Sequence, residues 1–136
     1  MKDENKQPGI KCDNIFLKSI SYKRAESYSG GVNLKLDFSN TYSLSDDKNI
    51  LIYDLEVKIS EEKENHIFTL ECTITGVFSI IKEEENMSLE EYCNINAPAT
   101  LFPFLRETVA NVTQRSGLKP FILPPMNIQA ILRKEA

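Results

Sequence analysis

Between residues 34 and 75, apolar and polar side chains alternate in three separate stretches. Leu34, Leu36 and Phe38 alternate with Lys35, Asp37 and Ser39. Leu51, Tyr53, Leu55, Val57 and Ile59 alternate with Ile52, Asp54, Glu56 and Lys58. Phe68, Leu70, Cys72 and Ile74 alternate with Thr69, Glu71, Thr73 and Thr75. Successive side chains of a strand point to opposite faces, so a period of two held this long predicts strands with one covered and one wet face. A further β-rich stretch runs from Ile15 to Tyr22, with Ile20 and Tyr22 on one side and Ser19, Ser21 and Lys23 on the other. Ser29-Gly30-Gly31 reads as a turn after it. Polar linkers at 40–49 and 60–66 suit an antiparallel meander. Gly76 interrupts the last stretch, and a glycine inside a strand marks a bulge or a close backbone approach.

The period then changes. Leu101, Phe102, Leu105, Val109 and Val112 follow helical spacing and form one apolar face. Thr100 or Asn96 is placed to cap the start, with Pro103 in the first turn, where a missing N–H costs little. Gly117 suits the left-handed residue that ends a helix. A proline-stiffened segment from Lys119 to Met126 follows, and Asn127 can cap a short last helix carrying Ile128, Ile131 and Leu132. So few residues do not hold a helix alone in water, so this one must dock and is able to undock. The reading is a segregated α+β domain: residues 1–12 a loose arm, and 13–136 one domain with a four-stranded antiparallel sheet, a long helix and a short one.

Composition narrows the function classes. The 136 residues carry a net charge of −4, which offers no support for a nucleic-acid binder. The split is uneven, net −7 over residues 1–96 and net +3 over 97–136. No apolar run approaches the roughly 20 residues that span a bilayer, and the amino end has no apolar stretch of signal-peptide type. The expectation is a cytoplasmic protein with no direct membrane insertion. Three widely spaced cysteines, Cys12, Cys72 and Cys93, make neither a disulfide framework nor a zinc pattern.

The search for chemistry returns little. His66, the single histidine, sits in a polar linker with no partner at ligand or triad spacing. Cys72 falls on an apolar strand face, where a thiol behaves as a small hydrophobe. Glu83, Glu84, Glu85, Glu90 and Glu91 lack the ligand spacing and turn glycine of a calcium loop. No phosphate-binding glycine motif is present. The expectation is a non-enzyme with no metal and no cofactor.

What remains is an apolar surplus. Four amphipathic strands face one helix and one short helix, so self-association is expected. The candidates for client groove or interface are Leu34, Leu36, Phe38, Leu70, Cys72, Ile74 and Phe78. Those for an oligomer-interface helix are Leu101, Phe102, Leu105, Val109 and Val112. Plain core packing is the competing explanation for each.

Three segments together resemble the SecB family of export chaperones. Gly76-Val-Phe-Ser-Ile is similar to that family's G-[IV]-F-x-[IL] strand end. Asn96-Ala-Pro-Ala-Thr-Leu-Phe-Pro-Phe-Leu-Arg-Glu matches its helix opening L-F-P-[YF]-x-R-E. Pro120-Phe-Ile-Leu-Pro-Pro-Met-Asn-Ile matches its P-x-x-L-x-P-[VM]-N-F segment, with Ile128 where Phe is usual. Lys18-Ser-Ile-Ser-Tyr and Leu34-Lys-Leu-Asp-Phe look like its K-D-I-S-F and V-K-L-D-L strands. The similarity covers about residues 15–132.

The resemblance implies a dimer of dimers that holds unfolded or precursor polypeptide without ATP and, in exporting members, passes it to the motor SecA. It also implies a motor-docking surface at Ser19, Lys23, Thr69 and Glu71. Exporting members have acidic residues at the first two positions and an apolar one at the third. An acidic tail is likewise replaced by Arg133-Lys-Glu-Ala. The alternative is therefore a SecB-like chaperone dedicated to the antitoxin of a toxin–antitoxin pair. A hotdog-like enzyme, with Glu107 as its acid, is the rival from another class.

Overall fold

A computed structural model describes residues 9–26, 34–61, 68–81, 87–117 and 119–135. His66, the Ser29-Gly30-Gly31 turn and Glu83, Glu84 and Glu85 lie outside the described residues. Four strands, β1 (Ile10–Arg24), β2 (Leu34–Leu44), β3 (Ile50–Glu61) and β4 (Phe68–Ile80), precede two helices, α1 (Leu89–Arg115) and α2 (Ile128–Glu135). The strands form one antiparallel sheet in the order β1-β4-β3-β2. The meander expected of β2, β3 and β4 is present, and β1 crosses to the far side to pair with β4. Its first residue, Ile10, lies inside the stretch expected to be a loose arm and pairs with Ile80. β2 runs on through Leu44, so the linker expected at 40–49 shrinks to a turn at 45–49.

Directly opposed residues of an antiparallel ladder share a face, and the register sorts the sheet cleanly. Leu51, Tyr53, Leu55, Val57 and Ile59 of β3 oppose Phe78, Gly76, Ile74, Cys72 and Leu70 of β4. All of these are buried beneath α1, which packs on β3 and β4. Gly76 lets the helix come close: a Cβ there would lie 2.7 Å from Phe78 Cε2 and 2.9 Å from Leu101 Cδ2. Aromatic pairs close the two ends of this layer, Phe38 with Phe102 at 6.2 Å and Phe78 with Tyr92 at 5.1 Å between ring centroids.

The helix starts at Leu89, well before the Asn96 or Thr100 expected to cap it. Ser88 is the cap: its hydroxyl accepts the Glu91 N–H at 3.1 Å, and Glu90 and Glu91 sit where the helix dipole favours negative charge. Pro98 and Pro103 therefore lie inside the helix rather than at its opening. Each removes one hydrogen bond without ending it. Burial of Leu89, Tyr92, Cys93 and Ala97 on the sheet side holds the added turns in place. At the other end Gly117 takes φ 75°, as its position predicted, and the Arg24 guanidinium donates to the Ser116 carbonyl.

Between the helices, the chain is tied back by Thr113. Its buried hydroxyl donates to the Val109 carbonyl at 2.9 Å and accepts the Phe121 N–H at 2.8 Å. Asn127 caps α2 as expected, its Oδ1 accepting the Ala130 N–H at 3.2 Å. α2 then docks on α1 and on β2, burying Ile128 and Leu132.

Candidate functional site

The sheet's helix-covered face is closed. Phe38, Leu70, Cys72, Ile74 and Phe78 are at most 3% exposed. They are core of the chain's own fold, not open lining, which corrects the expectation of a client surface there. Leu34 and Leu36, toward the edge on β2, are half-buried. The same correction applies to the helix. Leu101, Phe102, Leu105 and Val109 pack on their own sheet, and only Val112 is half open. Alternation shows which side chains share a face. It does not say which element covers that face.

Two stretches of open apolar surface lie instead on the flanks of the sheet, at its two edge strands, beside a smaller patch of Ile50 and Ile52 on inner strand β3. On the β1 flank, Phe16, Leu17 and Ile20 of β1 and Phe104 of α1 are 39–47% exposed. With Ile15, Ile74 and Val112 they line a groove of about 440 Å³ between strand and helix. Among the described strands β1 pairs with β4 alone, so the other edge of its 15 residues has no strand partner. Glu107, the acid that a hotdog-like enzyme would need in a tunnel, stands exposed at the rim of this groove.

On the β2 flank, the segment joining the helices and the start of α2 stand off from α1. Ala99, Phe102 and Pro103 on one side and Met126, Asn127, Ile128 and Gln129 on the other line a hollow of about 320 Å³. Ile122 on the same segment is 59% exposed, the most open large hydrophobic side chain among the described residues. Tyr42, at the β2 edge, stacks on Tyr53 with half its surface open.

The remaining face, opposite the helices, exposes Phe16, Ile50 and Ile52 toward one end and is polar and cross-linked over the rest. Lys18, the extra residue of a bulge between Leu17 and Ser19, reaches across β4 to Asp54 at 2.7 Å. Asp54 accepts the Thr75 hydroxyl at 2.7 Å, and Glu56 accepts those of Thr73 and Ser39 at 3.2 and 3.3 Å. Thr73 and Thr75 were expected to be wet; these carboxylates and their neighbours on β1 and β3 bury them. Ser19, Lys23, Thr69 and Glu71 are brought together at one end of this face, all exposed, with Lys23 directly opposite Thr69.

Among the described residues, reacting groups are scarce. Burial pushes the Cys72 and Cys93 thiols up to about 11 and the Tyr53 hydroxyl up to about 12. Two of the three thiols are thus held protonated and out of reach near neutrality. Among the described residues no group of three or more His, Cys, Asp or Glu is placed to hold a metal ion. No helix is long and apolar enough to cross a membrane there either.

A four-stranded antiparallel sheet closed by one long helix, with open apolar ground at both edges, defines an α+β fold of the segregated type. The family profile of the preprotein translocase subunit SecB matches residues 3–136, and the chain belongs to the SecB family. A protein-export protein SecB of Nitrosomonas eutropha is 26% identical, over 99% of this chain and 88% of that protein. One of Rickettsia typhi is 30% identical, over 94% and 88%. A SecB-like chaperone of Mycobacterium tuberculosis, solved with a peptide of the HigA1 antitoxin, superposes with a TM-score of 0.68 at 16% identity. That superposition covers 86% of this chain and 90% of the other.

Proposed function

We propose that this chain is a cytoplasmic, ATP-independent holdase that joins copies of itself along the β1 flank and grips extended, non-native polypeptide along the β2 flank. The observation that carries the proposal is the pairing of a closed core with open apolar surface at both edges of one sheet. Phe16, Leu17, Ile20 and Phe104 surround a 15-residue edge strand. A second copy satisfies both the strand edge and those side chains, as a two-fold interface does. Two such dimers then form the dimer of dimers that the family resemblance implies.

The β2 flank suits a client. Its hollow is lined by uncharged side chains, and its outer wall is an eight-residue helix that is not stable unless docked. Apolar burial is worth about 25 cal/mol per Å² and has no direction, so it selects unfolded chains over any one sequence. Ordering the client offsets most of that gain. Binding becomes tight only when one client spans several subunits, and it stays reversible without ATP.

General export is the first role for such a holdase, in keeping with the relatives above. Service to a single antitoxin is the second reading. Ser19, Lys23 and Thr69 favour it, because the motor-docking surface that the resemblance implies loses its acidic and apolar members there. The test is refolding of a denatured protein without nucleotide. Stoichiometric amounts of this chain slow refolding, and Ile122→Asp together with Met126→Asp weaken the effect at least several-fold. An unchanged refolding rate with the wild-type protein rejects the holdase reading.

A further inference from the structure

The hollow on the β2 flank is framed by two residues whose spacing in α1 has a chemical consequence. Pro103 has no N–H, so the carbonyl four residues earlier, that of Ala99, lacks its helical donor. Helical carbonyls point along the axis toward the carboxyl end, so the Ala99 oxygen lies toward Pro103. Both residues are exposed, and both line the hollow. Pro98 frees the Asn94 carbonyl in the same way, yet neither Pro98 nor Asn94 lines it.

We propose that the Ala99 carbonyl, released by Pro103, is a fixed hydrogen-bond acceptor for the main chain of a polypeptide bound in this hollow. The proposal rests on the reading of the β2 flank as the client surface and deepens it. A proline in a helix interior costs about 3 kcal/mol, and Pro103 recovers little of that by burial, being exposed. Four nearby donors of this chain are committed elsewhere. The Ala130 N–H goes to the Asn127 side chain, the Ile128 N–H to the Met126 carbonyl, the Ile131 N–H to the Asn127 carbonyl, and the Gln129 amide to the Ile95 carbonyl. Among the described residues no charged side chain lines the hollow, so a neutral donor suits it better than a lysine or arginine.

An extended chain offers that donor whatever its sequence. It presents an N–H on a given edge at every second residue, about 6.8 Å apart, with side chains on either face. One apolar side chain can then enter the hollow beside Phe102, Met126 and Ile128 while the main chain bonds to Ala99. Apolar filling supplies the affinity, and the carbonyl sets the depth and direction of the chain.

The test uses a Leu-rich peptide and a second version in which every amide N–H of the Leu-rich segment is replaced by an ester oxygen. Full replacement makes the outcome independent of register. The wild-type protein binds the ester peptide about three- to tenfold more weakly, the worth of a hydrogen bond between neutral groups. Pro103→Ala restores an internal N–H to the Ala99 carbonyl. It weakens the amide peptide by a similar factor, removes the difference between the two peptides, and leaves solution mass unchanged and thermal stability equal or higher. The inference is overturned if wild type binds both peptides alike. It is also overturned if Pro103→Ala keeps wild-type discrimination, or if its affinity loss comes with a change in mass. A wild-type protein that binds neither peptide nor slows refolding overturns the client reading beneath it.

Discussion

Replacing Gly76 with alanine puts a methyl group into a gap that the fold has already closed. The new Cβ would lie 2.7 and 2.9 Å from two ring carbons of Phe78 and 2.9 Å from Leu101 Cδ2. Comfortable carbon contacts are about 3.5–4.0 Å. Neither neighbour has free space to enter, since Phe78 and Leu101 are fully buried. The backbone is no easier to move, because Gly76 is paired with Ile15 on one side and Tyr53 on the other. With three contacts under 3 Å, overpacking here falls in the upper part of the usual range, about 2–3 kcal/mol. The lower chain entropy of unfolded alanine returns about 0.4–1 kcal/mol, leaving a net loss of about 1–2.5 kcal/mol. Urea unfolding at fixed protein concentration is the assay, and a melting point lower by about 4–8 °C should accompany it. In a Phe78→Leu background the cost of Gly76→Ala should shrink, because two of the three contacts disappear. A variant within about 0.5 kcal/mol of wild type, or a cost unchanged by Phe78→Leu, would refute the close approach of α1 to β4.

Four further outcomes follow from other parts of the fold. Leu17→Asp, which places a charge in the β1-flank groove, should lower the mass measured by sedimentation toward that of one subunit; an unchanged mass rejects β1 as the interface. Thr113→Val keeps the side-chain shape but strands the Phe121 N–H, and should cost about 1–2 kcal/mol while speeding amide exchange in residues 119–127. Native protein at pH 8 should take up one iodoacetamide, at exposed Cys12, and three once unfolded. The buried thiols also set a pH dependence. The Cys72 and Cys93 pKa values rise from 9.0 to about 11, so unfolded thiols ionise first and native ones resist. Their contribution to stability should be fully present below pH 9 and be lost as pH rises toward 11, with a slope of up to about 1.4 kcal/mol per pH unit for each thiol. Urea midpoints measured from pH 7 to 11 check the sign.

Much of the architecture was legible because period and punctuation are local properties. The alternation in β2, β3 and β4 assigned the buried side of β3 residue by residue, and Gly76, Gly117 and Asn127 each occupy the position their chemistry predicted. Three features needed tertiary information. Pro98 and Pro103 resemble a helix opening, so the turns from Leu89 to Ala97 were missed, although Ser88 followed by Glu90 and Glu91 carried the real cap signal. Thr73 and Thr75 looked wet because their burial depends on Asp54 and Glu56 of a neighbouring strand. The open surface was misplaced onto Phe38, Leu70 and Phe78 for a related reason. A lone chain does not announce that its own helix closes the middle of the sheet and leaves the flanks bare. One signal was available: Phe16 and Leu17 are adjacent apolar residues in a strand, so one of them had to face away from the helices.

The account's central claim is that clients lie along the β2 flank, and amide hydrogen exchange with and without a bound unfolded polypeptide tests it most directly. Slower exchange is predicted in residues 95–104 and 119–135, with the strand ends carrying Lys23, Thr69 and Glu71 unaffected. Slowing confined to those strand ends, with α2 and its connecting segment unchanged, would contradict it.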